Sequence, residues 1–308
     1  MTVKTVQHFL TMEELTPDTL DSLMQLAHEV KRAPQSYATA LTGKKVALLF
    51  EKASTRTRMS FEVGVVELGG YPLFLSGQDL QIGRGEPLTD TIQVMSRYVD
   101  ALMIRTYAHE TVETLAQHGS IPIINGLTDF HHPCQVLADL LTIEEQFGSR
   151  AGKVLAYIGD GNNMAHSLMI GGALSGMHIR IASPNGYTVE QDIYEKAQKL
   201  ATSTGGSIAL FENPSLAVNE ADIIYTDVFA SMGQEGEAEE RLMKFNGFQV
   251  NKELMALANP DAIFLHCLPA HRGEEVTADV IDGPQSWVFD QAENRLHAQK
   301  ALMLTLLT

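Results

Sequence analysis

Short, uninterrupted apolar runs alternate with amphipathic segments along almost the whole chain, and that alternation restricts the fold more than any other feature. KKVALLF, DALMIRT and IPIINGL in the first half each suit one buried strand, as do KVLAYIGD, HIRIASP, DIIYTDV and DAIFLHCL in the second. Helical patterns lie between them. They include TPDTLDSLMQLAHEVKRA with Thr16 as N-cap, residues 57–68 stopped by Gly69-Gly70, HHPCQVLADLLTIEEQFG ending at Gly148, and a closing QAENRLHAQKALMLTLL. Strands apolar on both faces need cover on both faces, so the pattern predicts parallel sheets sandwiched by helices. The series breaks near residues 147–152 and restarts. The expected architecture is α/β with two domains, 1–148 and 149–308, each a parallel sheet covered by helices and joined by helices; 308 residues suit two such domains. The least regular stretch, SMGQEGEAEERLMKFNGFQ at 231–249, is polar and follows a strand, which predicts a mobile loop over a site.

Charge narrows the partners. The net charge of −16 argues against nucleic acid and anionic membrane surfaces as partners, since both need a basic face. A small anionic substrate stays compatible with it, because a local Arg cluster outweighs the global sign at short range. The first twenty residues lack the basic-then-apolar order of a signal peptide. No run reaches the roughly 18 apolar residues that a membrane span needs. Only Cys134 and Cys267 are present, so no disulfide framework is implied. The expectation is a cytoplasmic globular protein.

Chemistry-bearing residues cluster where strands give way to helices. Ser54, Thr55, Arg56, Thr57 and Arg58 form an unbroken run between a strand and a helix. Hydroxyls and a guanidinium beside the free N–H groups of a helix start make a phosphate cradle. This is not a P-loop, since no GxxxxGK[ST] precedes the helix. GDGNNMAHS at 159–167 follows a strand but has Met164 where a dinucleotide fingerprint needs glycine. His132 and Gln135 lie one helical turn apart and can point at one small group. Arg105 ends a strand, on the side where open parallel sheets bind ligands. Asp227 also ends a strand, where a carboxylate can pair with a substrate ammonium. His266, Cys267 and His271 raise the question of zinc, but no second cysteine stands at metal spacing. Cys267 could also act as a nucleophile.

STRTRMSFE is similar to the carbamoyl-phosphate signature of aspartate and ornithine carbamoyltransferases. HHPCQVLADL at 131–140 resembles the HPCQ element of the ornithine members, and GDGNNMAHS resembles their second-domain loop. DVFASMG at 227–233 is similar to their D-x-x-x-S-M-G signature, HCLPAHRG at 266–273 to their HCLP element, and QAENRLHAQKALM at 291–303 to their terminal Arg-bearing helix. The matches run in the family's order from Ser54 to Met303, and the chain is identified as a member of the aspartate/ornithine carbamoyltransferase family.

The resemblance implies transfer of the carbamoyl group of carbamoyl phosphate to the δ-amine of L-ornithine, giving L-citrulline and phosphate in arginine metabolism. It implies no metal, no organic cofactor, and a homotrimer or multiple of trimers. By the same resemblance, Ser54, Thr55, Arg56, Thr57, Gln81, Arg105, His132, Gln135, Cys267, Leu268 and Arg295 bind carbamoyl phosphate. Arg56, Arg105, His132 and Cys267 are implied to act in catalysis. Asn163, Asp227, Ser231 and Met232 are implied to hold ornithine. The loop of Gln81 is a candidate to reach a neighbouring subunit's site, and the closing helix, about 291–308, would carry Arg295 back onto the first domain. An aspartate enzyme should lack the SMG loop and the HCLP cysteine, and both are present. Putrescine and acetylornithine enzymes are closer rivals. A non-catalytic member would be expected to lose motif residues, whereas Arg56, Arg105, His132, Gln135, Cys267 and Arg295 are all in place.

Overall fold

The computed structural model describes residues 6–80, 85–230 and 235–308. The chain forms two compact units, Met1–Leu141 with Glu293–Thr308, and Thr142–Ala292.

In the first unit, α1 (Pro17–Arg32) starts at Thr16, whose hydroxyl accepts from the Thr19 N–H at 3.2 Å. There follow β1 (Lys45–Phe50), α2 (Thr55–Glu67), β2 (Tyr71–Ser76), α3 (Leu88–Met95), β3 (Ala101–Arg105), α4 (His109–His118) and β4 (Ile123–Leu127). The strands make one parallel sheet in the order β2-β1-β3-β4, with Leu48 facing Phe74 on one side and Met103 on the other. β3 is buried throughout and β1 throughout but for Lys45, whereas the edge strand β2 exposes Tyr71 and Phe74. Ala47, Leu49, Leu102 and Ile104 pack against Ile92, Val112 and Leu115 of the helices, which is the burial the apolar runs demand. The chain steps outward from β1 to β2, then returns past β1 to β3. The strand order therefore reverses between β1 and β3, and the crevice outside the carboxyl ends at such a reversal is where open sheets bind ligands.

The chain passes into the second unit within α5 (Pro133–Phe147). That unit contains β5 (Val154–Ile158), α6 (Asn163–Leu174), β6 (His178–Ala182), α7 (Gln191–Thr204), β7 (Ser207–Phe211), α8 (Pro214–Val218) and β8 (Ile223–Thr226). α9 (Ala238–Lys244), α10 (Lys252–Met255), β9 (Ile263–His266) and α11 (Ala278–Ile281) complete it, and α12 (Val288–Leu307) leads back to the first unit. The sheet is again parallel, in the order β7-β6-β5-β8-β9, with its reversal between β5 and β8. Every residue of α6 from Met164 to Leu174 is buried. From Met164 to Leu174 the helix therefore has no solvent face. Both sheets are parallel and helix-covered, as the alternation predicts.

The 231–249 stretch departs from the irregular loop expected. Residues 231–234 lie outside the described residues, but α9 occupies Ala238–Lys244, and Phe245 and Phe248 belong to the core. The buried Arg241 anchors it, donating to Asp160 at 2.8 Å, to the Phe229 carbonyl at 3.1 Å and to Glu237 at 3.1 Å. EAEERLMK reads as solvated because its anchoring side chain is a charge whose buried carboxylate partner, Asp160, is 81 positions away. No helix among the described residues is long and apolar enough to cross a membrane.

Candidate functional site

Both reversals carry the chemistry-bearing residues, each unit having its own cluster. In the first unit, Ser54 caps α2: its backbone is extended, and its hydroxyl accepts from the Thr57 N–H at 3.2 Å. The N–H groups of Thr55 and Arg56 fall in the first helical turn, where no i−4 carbonyl is available to them. The cradle therefore presents amide donors, a positive dipole end and the Arg56 guanidinium together. Arg58 turns away, bonding Glu62 at 3.1 Å and stacking on Phe74 at 3.6 Å from the ring centre.

Arg105 ends β3, buried; His132 and Gln135 follow β4 and begin α5, also buried. Arg295, on the part of α12 within this unit, donates to the Gln135 Oε1 at 2.6 Å and to the Thr57 hydroxyl at 3.1 Å. Burial holds the His132 pKa well below the ordinary 6.5, and the charges of Arg295, Arg105 and Arg56 depress it further. The imidazole thus stays neutral through the physiological range. It can give or take a hydrogen bond there but carries no charge. Lys52, buried and ion-paired with Asp129, sits over the Tyr107 ring at 4.3 Å and ties the segments after β1, β3 and β4 together. Cys134 is buried in α5, where burial pushes its thiol up to about 12. Gln81 lies outside the described residues.

In the second unit, Asn162 caps α6: its Oδ1 accepts from the Met164 N–H at 2.9 Å, the Ala165 N–H at 3.3 Å and the Tyr157 hydroxyl at 3.2 Å. Its Nδ2 donates to the Asp227 Oδ2 at 3.2 Å. Asp227, just past β8, accepts also from the Val228 N–H at 2.8 Å and from the Cys267 thiol at 3.0 Å. Burial, then Asp227, pushes the Tyr157 phenol well up, so it stays a neutral donor. Asn163 is the next residue, at the first position of α6. Gly161 has a packing reason: a Cβ there would meet the Thr188–Val189 backbone at 2.3 Å. Leu268 takes φ +58°, and its N–H donates to the His266 Nδ1 at 2.8 Å, while the His266 Nε2 faces the Glu275 Oε1 at 3.2 Å. Ser231 and Met232 lie outside the described residues.

His271 does not join His266 and Cys267; Asp227 does, the three ligand atoms lying within 4.8 Å of one another. Both nitrogens of His266 are already engaged, so a metal there would break a bond that holds Leu268 or Glu275.

Residues 7–145 match the family model for the aspartate/ornithine carbamoyltransferase carbamoyl-P binding domain, and residues 151–306 match that for the Asp/Orn binding domain. The chain belongs to the aspartate/ornithine carbamoyltransferase family. Relatives include an ornithine carbamoyltransferase of Halalkalibacterium halodurans, 56% identical over 300 residues, covering 97% of this chain and 94% of that protein. One from Anoxybacillus flavithermus is 56% identical over 301 residues, covering 97% and 96%. The solved ornithine carbamoyltransferase of Pyrococcus furiosus superposes with a TM-score of 0.95 at 50% identity, covering 98% of this chain and 97% of that one.

Three supporting groups of this carbamoyltransferase chain escaped sequence reading. Asp139 accepts from the Gln135 Nε2 at 2.8 Å, Asn162 reaches Asp227, and Lys52 meets Asp129. Only Asp139 had a usable signal, the i,i+4 spacing from Gln135 on one helix.

Proposed function

We propose that the chain transfers the carbamoyl group of carbamoyl phosphate to the δ-amine of L-ornithine, releasing L-citrulline and phosphate. The observation that carries this reading is that the Arg295 guanidinium bonds both Thr57 in the first turn of α2 and Gln135 in α5, within the unit that also holds Arg56, Arg105 and the buried His132. Ser54, Thr55, Arg56, Thr57 and Arg105 bind phosphate oxygens, with Gln81 and Arg295 assisting. Thr57, Arg105 and His132 polarise the carbonyl, and neutral His132 does so by donating a hydrogen bond rather than a proton. Gln135 accepts from the carbamoyl NH₂, and the Leu268 carbonyl contacts the same group.

Asn163, Asp227, Ser231 and Met232 hold the amino acid, and Cys267 lies near its side-chain amine. The δ-amine attacks as a neutral nucleophile, a tetrahedral intermediate forms, and the C–O bond to phosphate breaks. The amine's proton leaves with the phosphate. Acceleration comes from positioning and electrostatics, so neither metal nor organic cofactor takes part. We assign two domains, 1–148 for carbamoyl phosphate and 149–308 for ornithine, with the closing helix, about 291–308, packing back on the first, in a cytoplasmic homotrimer. Citrulline formation tests the reading, with ornithine, acetylornithine, putrescine and aspartate compared side by side. Product from ornithine alone, abolished in Arg56→Ala, supports it; product from another acceptor overturns the amino-acid pocket; no product overturns the whole assignment.

A further inference from the structure

The Gln135 side chain is a buried amide held from two sides by groups of opposite character. Its Nε2 donates to the Asp139 Oδ1 at 2.8 Å, one turn further along α5, and its Oε1 accepts from the Arg295 guanidinium at 2.6 Å. An amide can be turned over at almost no cost to its shape, but here the turned form is excluded. It would set its carbonyl oxygen against a carboxylate and its NH₂ against a guanidinium, replacing two charge-assisted bonds with two repulsions. Asp139 is fully buried, so no water competes for the Gln135 nitrogen on that side. A carbonyl oxygen has two lone pairs, and Arg295 engages one of them.

We propose that Asp139 is a specificity-determining positioning residue: by holding the Gln135 nitrogen it keeps the Gln135 oxygen turned to the substrate as an acceptor. The inference rests on the carbamoyl-transfer reading above. An acceptor at that point recognises the NH₂ of a carbamoyl group and gives nothing to the CH₃ of an acetyl group of the same size. The class selected is therefore acyl phosphates that bear an N–H donor on the acyl carbon, with acetyl phosphate as the excluded isostere. Without Asp139 only Arg295 opposes the turned form, whose NH₂ end would face the substrate's own donor.

The test compares wild type, Asp139→Ala, Gln135→Glu and the double variant Gln135→Glu/Asp139→Asn. Each is assayed for the carbamoyl phosphate KM and for inhibition by acetyl phosphate and inorganic phosphate. Asp139→Ala should raise the KM by about tenfold, the worth of one hydrogen bond, with both inhibition constants within about twofold of wild type. Gln135→Glu sets two carboxylates together in a buried place and should bind carbamoyl phosphate worse still. The double variant exchanges the roles: the amide introduced at position 139 donates to the new carboxylate, at an unchanged total charge. It should return to within about threefold of wild type. If phosphate and acetyl phosphate weaken in parallel with carbamoyl phosphate in Asp139→Ala, the residue only supports the cradle and the proposal fails. It also fails if the double variant is no better than Gln135→Glu, even where Asp139→Ala does not fold. Failure of the parent reading looks different: wild type would then form no citrulline at all.

Discussion

Arg295 makes a sharp test of the site, because its removal should change both a rate and a pH dependence. Arg295→Met keeps the length and the apolar stem but deletes two charge-assisted bonds, to Gln135 at 2.6 Å and to Thr57 at 3.1 Å. Hydrogen bonds to a charged group contribute about 1.5–3 kcal/mol each, and bonds that share one donor group add up to less than their sum. A net loss of about 3–4 kcal/mol corresponds to a fall in kcat/KM of roughly 100- to 1000-fold. The second effect comes through His132. Burial is the main cause of its depressed pKa, and Arg295 is the largest of the charges that add to it. Deleting that charge lets the His132 pKa rise toward 6.5, so the acid limb of the kcat/KM profile should move to higher pH. Stability carries the same sign. The unfolded chain protonates this imidazole below about 6.5 while the folded chain resists, so folding loses stability as pH falls below that value and regains it as pH rises. That window should narrow in Arg295→Met. Steady-state kinetics between pH 5 and about 9 and urea melts at pH 5 and about 7 would check both. An unmoved acid limb, or a loss confined to the ornithine KM, would refute the reasoning.

Lys52→Met should cost about 1–2 kcal/mol in a urea melt and raise the carbamoyl phosphate KM; the cost is modest because the Asp129 left behind is largely exposed. Gly161→Ala should destabilise by about 1–3 kcal/mol, since the added methyl meets backbone that cannot swing aside, and thermal denaturation would show it. Thiol titration of the native protein at pH 8 should leave Cys134 unmodified until denaturant is added, because its thiol is buried and its pKa stands at about 12.

What the sequence reveals here is local. KKVALLF, DALMIRT and IPIINGL announce strands because burial on both faces leaves little choice of residue, and the STRTR run announces a helix start because hydroxyls and an unbonded first turn belong together. Strand order is not local: nothing in YPLFLS says that it takes the edge beside β1 rather than a place beside β3. The same limit hides the partners of the site. Arg295 meets Thr57 across 238 positions, and Asn162 meets Asp227 across 65. α9 was missed for that reason too, its one buried anchor being a charge.

The path of the chain through its two units sets an order of events at the ribosome. Thr142–Ala292 is one continuous stretch, so all of its strands have been made before α12 is complete. The first unit is discontinuous and needs Glu293–Thr308 to be whole. Its sheet can therefore form early in translation, but its third guanidinium, Arg295, arrives only after everything else in both clusters has been synthesised. A nascent chain stalled before α12 would present the α2 cradle, Arg105 and His132 with the Gln135 oxygen and the Thr57 hydroxyl still lacking this donor. Anion affinity in the first unit is thus completed by a residue synthesised 238 positions after the Thr57 it serves.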